Sequence, residues 1–321
     1  MDQESIHRLR QKAGSDLKKI VFPEADDERV LQAVEFIRKE KLAIPILLGV
    51  KDLDASKQEV FAKTYFEWRK AKGVTIDQAR QVMQDPIFYA AMMLREGLVD
   101  GMVAGARYTT AAVMRAVIHC LRINKSTGLV TSCFLMEVPH CRYGEGGTFV
   151  FADCGVIPDP TSEQLAKIAI LSAAFFKEVM SQTPRVAMLN FSTKGSAEGP
   201  LTEKVRKAVE LANAANTGYL IDGELQADSA IVPEIARRKL KDSPVAGRAN
   251  TLIFPNLDSA NISYKLTEYL AGARAVGPII LGTVEPCSDL SRGCTSEDVV
   301  DVAVITAIRA QSRQQAAQPA A

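Results

Sequence analysis

Short runs that are apolar on both faces recur along this chain, separated by stretches of helical period. The runs at 19–23, 44–49, 100–105, 130–138, 149–152, 185–191, 219–221, 251–254 and 278–281 are rich in Val, Ile and Phe. Gly, Pro, Asp or Asn bounds each one. Strands apolar on both faces need cover on both sides, and parallel neighbours need a crossover of helix length between them. Helical patterns at 28–41, 86–97, 110–123, 162–180, 202–216, 260–273 and 296–310 supply it. The expected class is α/β, with mostly parallel sheets covered by helices.

A length of 321 residues leaves room for two domains of about 100–200 residues. The polar, Gly-rich segment 139–147 reads as either a crossover or a hairpin turn. The expected division has residues 1–143 plus 300–321 in one domain and 144–299 in the other. Thr161 and Gln164 have capping-box spacing at the start of the 162–180 helix. Residues 312–321 carry no core-forming pattern and read as a frayed tail.

Lys and Arg total 39 against 38 Asp and Glu, a formal net charge of +1. That excludes bulk electrostatic wrapping of nucleic acid, so any anionic ligand must be held by a few placed cations. Six cysteines without a CxxC pair, and three histidines away from ligand spacing, form neither a disulfide framework nor a metal site. No apolar run approaches the ~18 residues of a spanning helix. The amino-terminal residues lack a signal-peptide core, and the cytoplasm is the expected location.

The most informative stretch is 287–300, a loop with Ser291, Arg292 and Gly293 running into the last expected helix. Free amides and the helix dipole favour anions there. Arg292 adds a permanent planar fork matched to phosphate oxygens, and Ser291 adds a hydroxyl. Asp298 is the nearest general base, although Thr295 and Asp298 also have capping-box spacing. A helix start favours the ionised carboxylate, which makes a weaker base. Cys294 beside Arg292 reads either as a nucleophile or as a small buried residue.

A second strand-to-helix stretch, 103–115, has a Gly-containing loop, Thr109 and Thr110 as expected caps, and Arg115 on the helix. The hydroxyl-rich loop 190–200 lacks P-loop order, and no strand-bounded GxGxxG occurs, so neither ATP nor a nicotinamide is indicated. Asp222, Glu224 and Asp228 offer either divalent-metal ligands or a turn with a solvated face.

Seven collinear blocks, at 18–25, 100–106, 191–197, 222–226, 254–258, 261–266 and 289–294, resemble the phosphate acetyltransferase family. The likeness covers roughly residues 15–310 and is similar to the short form, without amino-terminal regulatory domains. It implies reversible acetyl transfer between acetyl phosphate and coenzyme A in a ternary complex, with coenzyme A as substrate and no cofactor or metal. It also implies two α/β domains with an active-site cleft between them, and a homodimer. Carried onto this chain, Asp298 deprotonates the thiol, Arg292 neutralises the acyl phosphate and Ser291 bonds the oxyanion. Arg69, Arg115, Thr110 and Lys265 are the implied substrate-binding residues.

Some positions depart from the family pattern. Thr295 stands where Ser is common, Ala227 where an aromatic is frequent, and Gly199 where His is frequent. The last two bear on acyl-chain preference. Three alternatives stay open: a non-catalytic acetyl-CoA sensing domain of the malic-enzyme-fused type, a phosphate butyryltransferase, and a decarboxylating dehydrogenase of similar architecture. The 153–160 block favours the acetyl branch over the butyryl one.

Overall fold

The structure is a computed structural model and describes residues 3–240 and 242–317. Its strands are β1 (Lys19–Phe22), β2 (Ile44–Leu47), β3 (Gly101–Val103), β4 (Thr131–Glu137), β5 (Thr148–Ala152), β6 (Arg185–Leu189), β7 (Leu220–Leu225), β8 (Thr251–Ile253), β9 (Arg274–Leu281) and β10 (Cys287–Ser288). Its helices are α1 (Gln3–Gly14), α2 (Glu28–Lys39), α3 (Ala55–Arg69), α4 (Ile76–Val82), α5 (Pro86–Arg95), α6 (Thr110–Cys120), α7 (Ser162–Met180), α8 (Pro200–Ala214), α9 (Ala227–Ile231), α10 (Pro233–Lys239), α11 (Leu257–Ala271) and α12 (Ser296–Ala317). Two compact units result. A terminal unit joins Ile6–Asn124 to residues 283–317, and a central unit spans Lys125–Gly282 together with residues 3–5.

The terminal unit has four parallel strands in the order β2-β1-β3-β10. Ile20, Val21, Phe22, Met102 and Val103 are buried, as strands covered on both faces must be. α12 is apolar almost all round from Val299 to Ala310 and is accordingly buried. Thr306 on α12 shares a 2.8 Å hydroxyl bond with Ser288 of β10. The expected tail from 312 is instead helix as far as Ala317, and residues 318–321 lie outside the described residues. Side-chain amides hold this last turn where no apolar pattern does. Gln311 Nε2 lies 2.8 Å from the carbonyl oxygens of Ala13 and Asp16, and Gln314 donates to Asp100 at 3.1 Å.

The central unit's strands run β9-β4-β5-β8-β6-β7, with β4 antiparallel to both neighbours and the other pairs parallel. Segment 139–147 is therefore the turn of the β4–β5 hairpin, in which Glu137 pairs with Thr148. A domain junction at 143/144 would cut that ladder, so the chain crosses between units at 124/125 and 282/283 instead of the expected 143/144 and 299/300. The α7 capping box forms as expected, Gln164 N lying 3.3 Å from the Thr161 hydroxyl.

Among the helices that sequence periodicity passed over, α3 is weakly amphipathic and α4, α9 and α10 have seven residues or fewer. α3 buries only Phe61, Ala62 and Tyr65 among charged neighbours. The strand β10 is two residues long and has no period to read.

Candidate active site

Two strand-to-helix loops of the terminal unit converge through buried side chains. The first follows β3. Glu24, beyond β1 and 3% exposed, accepts four consecutive amides of this loop. Its Oε2 takes Gly105 N at 2.9 Å and Ala106 N at 3.0 Å, and its Oε1 takes Arg107 N at 2.6 Å and Tyr108 N at 2.9 Å. A carboxylate saturated by backbone amides fixes loop shape as firmly as a strand ladder would. The loop ends at Thr109, whose hydroxyl caps α6 by accepting from Ala112 N at 3.2 Å. Thr110 is therefore the exposed first helical residue, and of the two expected caps only Thr109 serves.

Gly105 is where the two loops touch. Its φ is +118°, and a Cβ there would lie 2.2 Å from Asp289 Oδ1, so only glycine fits. Asp289 is 1% exposed, and neither of its oxygens finds a partner of good hydrogen-bond geometry. Burial pushes its carboxyl up to about 7. The Thr110 hydroxyl and Leu290 amide offset this in part, while the Glu24 charge adds to it.

The second loop carries Ser291 and Arg292, both exposed. Ser291 Oγ accepts from Gly293 N at 3.2 Å, and Ser291 O from Cys294 N at 2.9 Å, closing a tight turn into α12. Arg29 fastens this turn to the first loop. Its Nη1 donates to Arg292 O at 2.7 Å and Cys294 O at 3.1 Å, and its Nη2 to Ala106 O at 2.7 Å. Nη2 also pairs with Asp27 Oδ2 at 2.7 Å, and that bond holds the Asp27 carboxyl below the usual range. With its backbone so fixed, the Arg292 guanidinium makes no hydrogen bond or ion pair among the described residues.

Asp298 forms the capping box its spacing predicts. Oδ2 accepts from Thr295 N at 2.8 Å and Thr295 Oγ1 at 2.9 Å, and Asp298 N donates to Thr295 Oγ1 at 3.2 Å. The cap uses one oxygen only; Oδ1 makes no hydrogen bond among the described residues. Cys294 is 7% exposed, and burial drives its thiol up to about 11. Arg29 lowers it, but Asp298, Asp27 and Glu24 oppose that. A thiol held protonated in this way is a poor nucleophile.

Arg69 at the end of α3 and Arg115 on α6 come together around His119, one turn beyond Arg115. Arg69 Nη2 lies 3.0 Å from His119 Nε2, and Tyr65 OH 3.0 Å from Nδ1. A guanidinium can only donate, so Nε2 is the acceptor and Nδ1 carries the proton toward Tyr65. Burial lowers the imidazole's pKa, and Arg69, Arg115 and Lys72 lower it further. The result is a neutral ring with three cations close enough to lower its pKa.

Lys265 lies in the other unit, on α11, its Nζ 5.0 Å from the ring centre of Tyr264. Contact with Tyr264 raises its pKa. The structure therefore gathers Asp298, Arg292 and Ser291 at one helix start and Arg69 with Arg115 at His119, with Thr110 at the α6 start and Lys265 apart in the central unit.

In the central unit, Asp228 is exposed, as a solvated face requires, but Asp222 and Glu224 are internal. Glu224 is 1% exposed; it accepts from Ser192 Oγ at 2.9 Å and Gly195 N at 2.8 Å, and pairs with Arg206 at 3.1 Å. Asp222, 7% exposed, pairs with Lys194 and Ser243. Both acids lie on β7, so they brace the 190–200 loop, and no metal-holding group of His, Cys, Asp or Glu occurs among the described residues.

Sequence reading missed Glu24, Arg29, Asp289 and His119. Only His119 left a local signal, four residues after Arg115 on one helix face. The others act across 77 to 265 residues of chain.

Fold and helix starts together define an α/β enzyme that handles anionic, phosphorylated ligands. Comparison with known proteins narrows that class. Residues 5–307 match the family described as Phosphate acetyl/butaryl transferase. A phosphate acetyltransferase of Acetivibrio thermocellus is 46% identical over 95% of this chain and 98% of its own. One from Thermoanaerobacterium thermosaccharolyticum is 45% identical over 95% and 99%. The crystal structure of a phosphotransacetylase from Streptococcus pyogenes superposes with a TM-score of 0.89 at 37% identity, covering 97% of this chain and 100% of that one. The chain belongs to the phosphate acetyl/butyryl transferase family.

Proposed function

We propose that this protein transfers an acetyl group reversibly between acetyl phosphate and coenzyme A by direct attack in a ternary complex. Asp298 Oδ1 takes the proton from the coenzyme A thiol. The thiolate sulfur bonds to the acetyl carbonyl carbon, and the carbon–oxygen bond to phosphate breaks as inorganic phosphate leaves. Arg292 neutralises the charge gathering on that phosphate, and Ser291 donates to the carbonyl oxygen as it becomes an oxyanion. A thiol of pKa ~8.5 needs only a modest base near neutral pH. Phosphate and thiolate are both competent leaving groups, so coenzyme A enters as substrate and the scheme needs no cofactor.

The observation that carries this reading is the helix start shared by Ser291, Arg292 and the unengaged oxygen of Asp298. Its cap bonds orient the carboxylate without consuming it. Arg69 and Arg115, flanking His119, are the proposed phosphate-binding pair of coenzyme A, with Thr110 at the α6 start and Lys265 as further substrate contacts. The family resemblance supports a homodimer working in the cytoplasm; no helix among the described residues is long and apolar enough to cross a membrane.

The test mixes purified protein with acetyl phosphate and coenzyme A and follows thioester formation. Turnover in wild type and its collapse in Asp298→Asn, which keeps a cap acceptor, is the expected result. Binding of acetyl-CoA without turnover would instead favour a sensing domain, and equal turnover in Asp298→Asn would remove the base assignment.

A further inference from the structure

Asp289 stands between β10 and the Ser291–Arg292 turn, and the reaction scheme makes no use of it. It is 1% exposed, and both carboxylate oxygens lack a well-placed hydrogen-bond partner. Its Oδ1 lies so close to the β3–α6 loop that a Cβ on Gly105 would sit 2.2 Å away. On that side it meets the hydroxyl of Thr110, the first residue of α6. Thr110 is exposed, so it has the buried acid behind it and solvent in front. A helix start draws anions, but an ionised carboxylate buried behind it would repel them. Other ionisable groups come near from each packed element. Glu24 faces Asp289 from the loop after β1, and the Cys287 thiol, which burial holds up at about 12, from its own strand. α12 brings Arg309, its Nη1 3.5 Å from Cys287 O, and the β3–α6 loop brings Arg107, which pairs with Asp26. No cation bonds to the Asp289 carboxyl among the described residues.

We propose that Asp289 is a positioning residue for the acyl phosphate, acting through Thr110: the neutral acid donates its proton to Thr110 Oγ1, and the Thr110 hydrogen then points outward to a phosphate oxygen. A hydroxyl has one hydrogen and two lone pairs, so the group behind it decides where that hydrogen goes. Ionised Asp289 can only accept. It turns the Thr110 hydrogen inward, leaves lone pairs facing the phosphate and adds a like charge behind them. Burial raises the carboxyl to about 7, which keeps the donating form populated up to neutral pH. The inference rests on the acetyl-transfer reading above, in which Thr110 contacts substrate.

The test measures KM for acetyl phosphate from pH 6 to pH 8 in wild type and in Asp289→Asn. The Asn amide donates at every pH, and comparison at equal pH cancels the titration of substrate and of Asp298. With the carboxyl near 7, the donating fraction falls roughly 10-fold over that range, so the ratio of wild-type to variant KM is expected to climb roughly 10-fold. A ratio level with pH is what a merely structural role would give, and it would overturn this inference while leaving the acetyl-transfer reading intact. On a Thr110→Val background the climb is expected to be mostly lost; an undiminished climb would remove Thr110 from the arrangement and overturn the proposal. A wild type that does not turn over would overturn the acetyl-transfer reading and this inference with it.

Discussion

Arg29 donates to the carbonyl oxygen of Arg292 at 2.7 Å, so one arginine fixes the backbone that presents the other. The same guanidinium reaches Ala106 O at 2.7 Å, tying the β3–α6 loop to the start of α12. Two strand-to-helix loops from distant parts of the sequence are thereby tied together, and the Arg292 guanidinium makes no hydrogen bond or ion pair among the described residues.

Removing that clamp is predicted to cost catalysis more than binding. Arg29→Ala should lower kcat by roughly 100-fold, the scale of a catalytic group displaced by about 1 Å. Arg29→Lys should recover little, because an ammonium cannot span two loops as a planar fork does. Steady-state kinetics on both variants, beside circular dichroism to confirm folding, checks this; kcat within threefold of wild type in Arg29→Ala would refute it.

Glu24→Gln is predicted to be strongly destabilising. An amide offers one acceptor oxygen where four backbone N–H groups now converge, so its own N–H groups would face two of them. Leaving buried donors unpaired costs roughly 1–3 kcal/mol each, and chemical denaturation should show a loss of at least about 2 kcal/mol. A loss under half of that would mean the loop is held by other contacts.

Asp289 makes a signed prediction about pH. Its carboxyl is raised from 3.8 to about 7, so between those values the folded state holds a proton the unfolded state has released. Stability from this group is present at low pH and falls as pH rises toward 7, then levels off. Asp289→Asn should remove that slope and gain up to roughly 3–4 kcal/mol at pH 8 relative to wild type. The gain should vanish near pH 4. Urea melts across that range decide it, and a gain independent of pH would contradict the assignment.

His119 is predicted to serve coenzyme A binding through Arg69. His119→Ala should raise the KM for coenzyme A roughly 10–100-fold, the worth of one charge-assisted bond, with kcat nearly unchanged. A fall in kcat at constant KM would place His119 elsewhere in the reaction.

Cys294 should prove dispensable. With its thiol held near 11, it should resist alkylation at neutral pH, and Cys294→Ala should keep most of its activity. An acetylated Cys294 trapped by mass spectrometry would overturn the direct-attack scheme.

Local patterns carried much of this molecule. The 162–180 helix was legible to the residue, because an apolar stripe and a capping box are both short-range signals. The Thr295–Asp298 box was legible for the same reason. β10 was not, since two residues have no period, and neither was α3, whose helix buries only three side chains. The helical end of α12 was misread because amides hold it, where periodicity registers only apolar packing.

By itself, then, the sequence determined the α/β class, the family, and a helix start bearing Ser291, Arg292 and Asp298. These depend on residues within a few positions of one another. Only the tertiary structure decided that Glu24 shapes the β3–α6 loop, that Arg29 joins it to Arg292, that Asp289 is buried without a good partner, and that His119 gathers Arg69 and Arg115. They depend on groups brought together from as far as 265 positions away, and the charge or burial that gives them meaning exists only once the chain has folded.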